Sequence, residues 1–175
     1  MSPVYTRGTK GDFPRKILGP LTMNKLNPDY VKTVTGLANQ SPYFRHLGMV
    51  IAELGMGEAL VELQPRDHHL QVYGNVHGGV IASLADTAIF WSCFAELDES
   101  VGITTVDLKV NYLAPVAEGM LTARGRRIRL GRTLGLGEAE IFNGDGKLVA
   151  HSTSSVIVLQ NFGFPGNPKL PPKFL

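Results

Sequence analysis

One stretch constrains this chain more than any other. Gly74-Asn75-Val76-His77-Gly78-Gly79 is a glycine-rich turn, and it runs straight into Val80–Ala95, an apolar stretch without Gly or Pro. The pattern predicts a loop entering a helix of about 17–20 residues. At about 100° per residue, Val80, Ile81, Leu84, Ile89, Phe90, Trp91 and Phe94 point in most directions, and a helix apolar nearly all round is buried. That length also suits a membrane span. Asp86 at the middle, the Ser and Thr residues around it and the lack of flanking basic anchors argue against one.

Asp86 is the only carboxylate between His77 and Ala95, and no Lys or Arg accompanies it. A carboxylate inside a buried helix needs hydrogen-bond partners or takes up a proton. Such groups concentrate at functional sites, although a structural Asp satisfied by backbone or hydroxyl groups fits the pattern equally well. Gly78 and Gly79 stand at the helix start, where backbone N–H groups lack intrahelical partners. The missing side chains and the helix dipole suit a polarised carbonyl or an oxyanion, although two glycines also simply shape a tight turn. Gly78 and Asp86 lie eight residues apart, or about 12 Å along a helix. That exceeds the reach of direct attack or of base catalysis through one water. If both act on one substrate they come from two copies of the chain, which points to a homodimer with shared sites.

Several blocks in order carry a resemblance. His77-Gly78-Gly79-Val80-Ile81-Ala82-Ser83-Leu84-Ala85-Asp86-Thr87-Ala88 resembles the signature of the hotdog-fold acyl-CoA thioesterases, nearest the phenylacetate-pathway (PaaI-like) branch. Ser41-Pro42-Tyr43-Phe44, Leu47-Gly48-Met49, Thr105 to Pro115, Gly131-Arg132-Thr133 and Asp145 to Ala150 extend the similarity from about Ser41 to Val158. The resemblance implies an α+β hotdog fold, in which a long central helix is wrapped by an antiparallel β-sheet. It implies a homo-oligomer, a dimer or dimer of dimers, that hydrolyses acyl-CoA with no cofactor beyond the CoA of the substrate. It assigns the thioester oxygen to the N–H of Gly78 or Gly79, and the role of general base or nucleophile to Asp86 of the opposing subunit. Thr105 stands where relatives carry a Ser or Thr that hydrogen-bonds the water or the carboxylate. Gln71 stands where they carry an Asn that orients the water or the thioester. His77 shapes the turn, with a direct catalytic part as the lesser reading, and Asn75 is a candidate substrate contact. Two other outcomes compete: a hydratase or dehydratase acting on acyl thioesters, and a non-catalytic acyl-CoA-binding sensor.

The remaining features bound these readings. A net charge of +2 is too small to argue for nucleic acid. Arg124, Arg126, Arg127, Arg129 and Arg132 nevertheless fall within nine positions. Arg126, Arg129 and Arg132 are candidates for the CoA phosphates, although alternation sends adjacent arginines to opposite faces. Asp67, His68, His69 and His77 lack a metal-ligand spacing, so no metal is expected. The single Cys93 excludes an internal disulfide and reads as a buried thiol. No secretory signal is visible, and a cytoplasmic address is expected. The chain divides into an N-terminal extension (1–40), the hotdog domain (41–160) and a Pro-rich tail (161–175), expected as an extended arm on a neighbouring subunit. Along the chain the patterns predict short helices at Pro28–Ala38, in the extension, and Tyr43–His46, then strands at Leu47–Leu54 and Glu58–Gln64, a β-rich run over Val101–Leu113, and three further strands. Asn143-Gly144-Asp145-Gly146 is a hairpin signal. Met49, Tyr73, Phe90, Trp91 and Phe94 are candidates to line an acyl pocket.

Overall fold

The structure is a computed structural model that describes residues 25–160, 163, 164, 166 and 168–175. Residues 1–24 of the expected N-terminal extension lie outside the described residues.

Two short helices open the fold. α1 (Pro28–Asn39) starts as its sequence predicts, with Pro at the first position and the Asn27 side chain accepting from Asp29 N–H at 3.0 Å. α2 (Pro42–Leu47) ends at Gly48, whose φ of 65° is the left-handed conformation that glycine tolerates. Two antiparallel strands follow, β1 (Met49–Gly55) and β2 (Glu58–Leu63). The Asn39 side chain ties α1 to β1, accepting from Ile51 N–H at 2.8 Å. The loop after β2 contains a 3-10 turn over Asp67–His69 and delivers the chain to α3 (Gly78–Phe94).

The rest is sheet: β3 (Val101–Thr105), β4 (Lys109–Tyr112), β5 (Leu121–Leu130), β6 (Leu134–Phe142) and β7 (Leu148–Gln160). The strand order is β1-β2-β5-β6-β7-β3, with β4 also paired to β7. All pairings are antiparallel. The run over Val101–Leu113 is therefore not one strand. It breaks at residues 106–108 because Asp107 takes over the bonding there. The Asp107 side chain accepts from Ser155 N–H at 3.0 Å, and its carbonyl accepts from the Ser154 hydroxyl at 2.6 Å. β3 and β4 lie end to end along β7, and their outer edge pairs with no strand among the described residues.

The seven-stranded sheet curls around α3. Leu84, Ala85, Ala88 and Ile89 of the helix are fully buried against inward residues such as Val61, Leu121, Ala123, Ala139, Ile141 and Val156. The helix does not reach burial all round. Ala82, Ser83, Asp86 and Phe90 form a half-buried strip, spaced by three and four residues as one helix face requires. Among the described residues no helix is long and apolar enough to cross a membrane.

The tail returns onto its own chain. Phe174 bridges to Leu26, Asn27 N–H donates to the Lys173 carbonyl at 2.9 Å, and the Lys173 side chain is fully buried. Its Nζ donates to the Phe94 carbonyl at 2.7 Å, which also accepts from Leu97 N–H at 3.2 Å at the end of α3, and sits 4.1 Å from the Phe94 ring centroid. Burial pushes the Lys173 amine down from 10.5 to about 8, against the opposing pull of Asp98 and Glu99. Tyr30, whose ring centroid is 5.7 Å from the ammonium, is pushed up to about 12 by burial and then by Glu99.

These shifts set an expected pH dependence. Below pH 8 the amine is charged in both the folded and unfolded chain, and the folded state bears the whole cost. As pH rises from about 8 towards 10.5 the folded chain sheds the proton first, so stability rises. Above pH 10 Tyr30 acts in the opposite direction, because the unfolded phenol ionises first. Chemical denaturation from pH 8 to 10 is expected to show wild type gaining about 2 kcal/mol relative to Lys173→Met. Parallel pH profiles would contradict this account of Lys173.

Candidate active site

The half-buried strip of α3 faces a cavity of about 720 Å3, within the usual range for small-molecule sites of about 300–1,000 Å3. α2 supplies Tyr43 and Phe44, α3 supplies Asp86, Phe90 and Trp91, and the tail supplies Phe164 and Pro168. Among the described residues Asp86 is the only carboxylate in this lining. Its Oδ1 accepts from the Thr105 hydroxyl at 2.8 Å, so the last residue of β3 holds the carboxylate at one oxygen. Beside it, Tyr43 Oη and Ser83 Oγ lie 2.6 Å apart, and Ser83 donates to the Gly79 carbonyl at 2.8 Å. A carboxylate with a fixed orientation at the wall of an apolar cavity can take a proton from water or attack a carbonyl.

A separate depression of about 360 Å3 lies at the N-terminal end of α3, lined by Gln71, Asn75, Gly78, Ile81, Tyr112 and neighbours. Here His77 is the helix N-cap, and its Nδ1 accepts from Gly79 N–H at 2.9 Å. The two expected donors are thus reduced to one: Gly79 N–H is engaged, while Gly78 N–H has no acceptor among the described residues. Tyr112 Oη donates to the Gly78 carbonyl at 2.9 Å and fixes this turn from β4. An added Cβ at Gly78 would lie 3.1 Å from Tyr112 Cζ. The Gln71 Oε1 accepts from Tyr73 N–H at 2.6 Å, which ties that amide into its own loop at the rim.

The structure therefore brings Asp86 and Thr105 together at the middle of α3, and Gly78, Gln71, Asn75 and His77 at its N-terminal end. The arginines fall elsewhere. Arg126 projects from the face of β5 opposite α3, away from both cavities, and pairs with Glu138. Inward Ala123 and Gly125 put Arg124 and Arg126 on the outer face. Arg129 and Arg132 are exposed and line neither cavity. Of the apolar candidates, Phe90 and Trp91 line the Asp86 cavity, Met49 is fully buried in the core, and Tyr73 is an exposed loop residue. Cys93 is buried, and burial pushes its thiol up. Tyr43, Ser83, Tyr112 and Phe164 were not foreseen as site residues. Ser83 carried a signal, lying three residues before Asp86 on one helix face.

Comparison with known proteins agrees with this architecture. The sequence profile of the thioesterase superfamily matches residues 73–150. A Haemophilus influenzae protein that bears an esterase name is 36% identical over 118 residues, covering 65% of this chain and 84% of the relative. The 1,4-dihydroxy-2-naphthoyl-CoA hydrolase of Listeria monocytogenes is 26% identical, covering 64% of this chain and 91% of its own. A crystal structure of a thioesterase from Haemophilus influenzae superimposes with a TM-score of 0.72 at 26% identity, over 82% of this chain and 99% of that one. With its curled antiparallel sheet around one central helix and these relatives, the chain belongs to the thioesterase superfamily and has the α+β hotdog fold.

Proposed function

We propose that this protein hydrolyses acyl-CoA thioesters, with Asp86 as general base or nucleophile and Gly78 N–H of a second subunit as the oxyanion donor. The observation that carries the reading is the Asp86 carboxylate, held by Thr105 at the wall of a 720 Å3 apolar cavity. An acyl chain fits that cavity, and its thioester carbonyl then lies against the carboxylate. The hydrolase of Listeria monocytogenes, an acyl-CoA hydrolase by name, supports CoA as the leaving group.

The free edge supports the second subunit. α3 begins beside Tyr112 at the far end of β4 and reaches Thr105, at the junction of β3 with β4, at its Asp86. Pairing this edge with its own copy about a two-fold axis near Leu108–Lys109 sets one protomer's Gly78 opposite the other's Asp86. Val106, Tyr112 and Leu113 along the edge are 58%, 53% and 56% exposed in the single chain, which suits a covered surface.

In the general-base route, Asp86 removes a proton as water attacks the carbonyl carbon. The oxyanion is held by the N–H at the helix start, where the dipole favours negative charge. Collapse expels the CoA sulfur, which takes the proton from Asp86. In the nucleophilic route the carboxylate displaces CoA and forms an anhydride that water then opens. Both yield free acid and CoA thiol.

Thr105→Val removes the hydroxyl that donates to Asp86 and is expected to lower kcat about tenfold, the scale of one hydrogen bond to a charged group. An unchanged kcat would show that this bond is dispensable. The proposed activity itself is tested by following CoA release with a thiol reagent across aryl, short-, medium- and long-chain acyl-CoAs. Turnover of one class is expected. Tight acyl-CoA binding without CoA release would instead favour the sensor.

A further inference from the structure

Behind the Asp86 cavity lies a second apolar chamber of about 370 Å3, lined by Tyr30, Phe94, Val101 and Ile103 among others. The two chambers share four wall residues, Phe90 and Trp91 of α3 and Phe164 and Pro168 of the tail. We propose that the returning C-terminal segment is the acyl-length ruler of this site, with Phe164 as the partition that stops the acyl tail at the end of the first chamber. This rests on the acyl-CoA reading above and names the substrate class: aryl or medium-chain acyl groups, with longer chains refused at Phe164.

Three observations carry the proposal. Along α3 the distance from Asp86 to Phe94 is eight residues, or about 12 Å. One route for the acyl tail runs from the carboxylate past Phe90 towards Phe94, along the wall that the two chambers share. Phe164 stands across that route. Its ring packs edge-on against Phe94 with centroids 6.1 Å apart, while Phe90 stacks on Phe94 at 6.0 Å. The end of the tail, from Pro172 onwards, is tied to the rest of the chain. Lys173 N–H donates to Glu99 Oε1 at 2.6 Å and Lys173 Nζ to the Phe94 carbonyl at 2.7 Å. The Asn27 side chain donates to the Pro172 carbonyl at 2.9 Å, and Leu175 N–H to the Lys25 carbonyl at 2.9 Å. An aromatic ring packed on Phe94 between two apolar spaces sets a length limit for the acyl tail.

The test uses S-alkyl-CoA thioethers, which cannot be hydrolysed, from butyl to hexadecyl, titrated calorimetrically into full-length protein. In wild type, affinity is expected to rise about fourfold per buried methylene and then to stop rising at the length that reaches Phe164. In Phe164→Ala the rise continues into the second chamber, and the affinity ratio of long to medium tails increases at least tenfold. Phe164→Trp moves the stop to shorter tails, which guards against a simple loosening of the tail in the alanine variant. The same stopping length in all three proteins, or no binding of any thioether, overturns the ruler. Because binding is read without turnover, failure of acyl-CoA hydrolysis shows separately, as thioether binding with no CoA release from the matching thioesters.

Discussion

Asp86→Asn is expected to lower kcat/KM for acyl-CoA hydrolysis by about 10²–10⁴-fold, the contribution of a positioned general base. Asparagine keeps the size of the side chain and keeps an oxygen that accepts from Thr105 Oγ1, so the geometry of the cavity wall survives. What it loses is the ability to take a proton or to attack a carbonyl. Binding of a non-hydrolysable thioether should then change less than about threefold, because the apolar wall makes the ground-state contacts. Stopped assays of CoA release beside calorimetric binding separate the two quantities. A matched loss of binding and turnover would mean that Asp86 positions substrate and does no chemistry. Retention of wild-type turnover would remove Asp86 from the mechanism.

Gly125→Ala is expected to carry the largest stability effect. An added Cβ at Gly125 would lie 2.1 Å from the Ala88 carbonyl oxygen and 2.3 Å from its carbon, both of them backbone atoms of the central helix. No rotamer change relieves that overlap. Either α3 lifts from β5 or the strand bends away, and the buried contacts of Leu84, Ala85, Ala88 and Ile89 are strained with it. Overpacking of flexible side chains costs about 1–3 kcal/mol, and here the rigid backbone puts the cost at about 3 kcal/mol or more. For a chain of this length that lowers Tm by roughly 6–12 °C. Gly36→Ala in α1 is the contrasting case. Nothing lies within 4 Å of its added Cβ, so the change gains about 0.5–1 kcal/mol of helix propensity. Thermal unfolding of the two variants checks both signs. A Gly125→Ala protein as stable as wild type would contradict the close helix–sheet approach.

The central helix was legible because its composition permits little else: an apolar run without Gly or Pro, preceded by a glycine turn, begins at Gly78 and ends at Phe94. The pairing of Thr105 with Asp86 follows from the resemblance and has a physical basis in the end of β3. Other features had no local signal. The break between β3 and β4 depends on Asp107 bonding to Ser154 and Ser155, far along the chain, while Ile103 to Val106 before it and Val110 to Tyr112 after it read as one β-rich run. The role of the tail was equally hidden. A Pro-rich end reads as an extended arm, and the burial of Lys173 over Phe94 appears only once the two are folded together. The outward position of Arg126 was readable in part. Alternation from the inward Ala123 and Gly125 turns it outward, and its cross-strand partner is Glu138. The capture of Gly79 N–H by His77 required the cap geometry itself.

The claim that each site is completed by two subunits can be tested by pairing two defective chains. Asp86→Asn removes one half. Gly78→Pro disables the other: proline lacks the N–H, fits the first helical position after a residue extended at φ −64° and ψ 137°, and crowds with its Cβ the Tyr112 ring, 3.1 Å away, that lines the same half-site. The two variants would be co-expressed with different tags, and the mixed dimer purified and assayed for CoA release. If Asp86 of one chain works with Gly78 of the other, one site in the mixed dimer has both halves intact, and about half of wild-type activity returns from two inactive parents. If both groups act within one chain, every site in the mixed dimer carries one defect. Activity no higher than that of the parents would contradict the shared site.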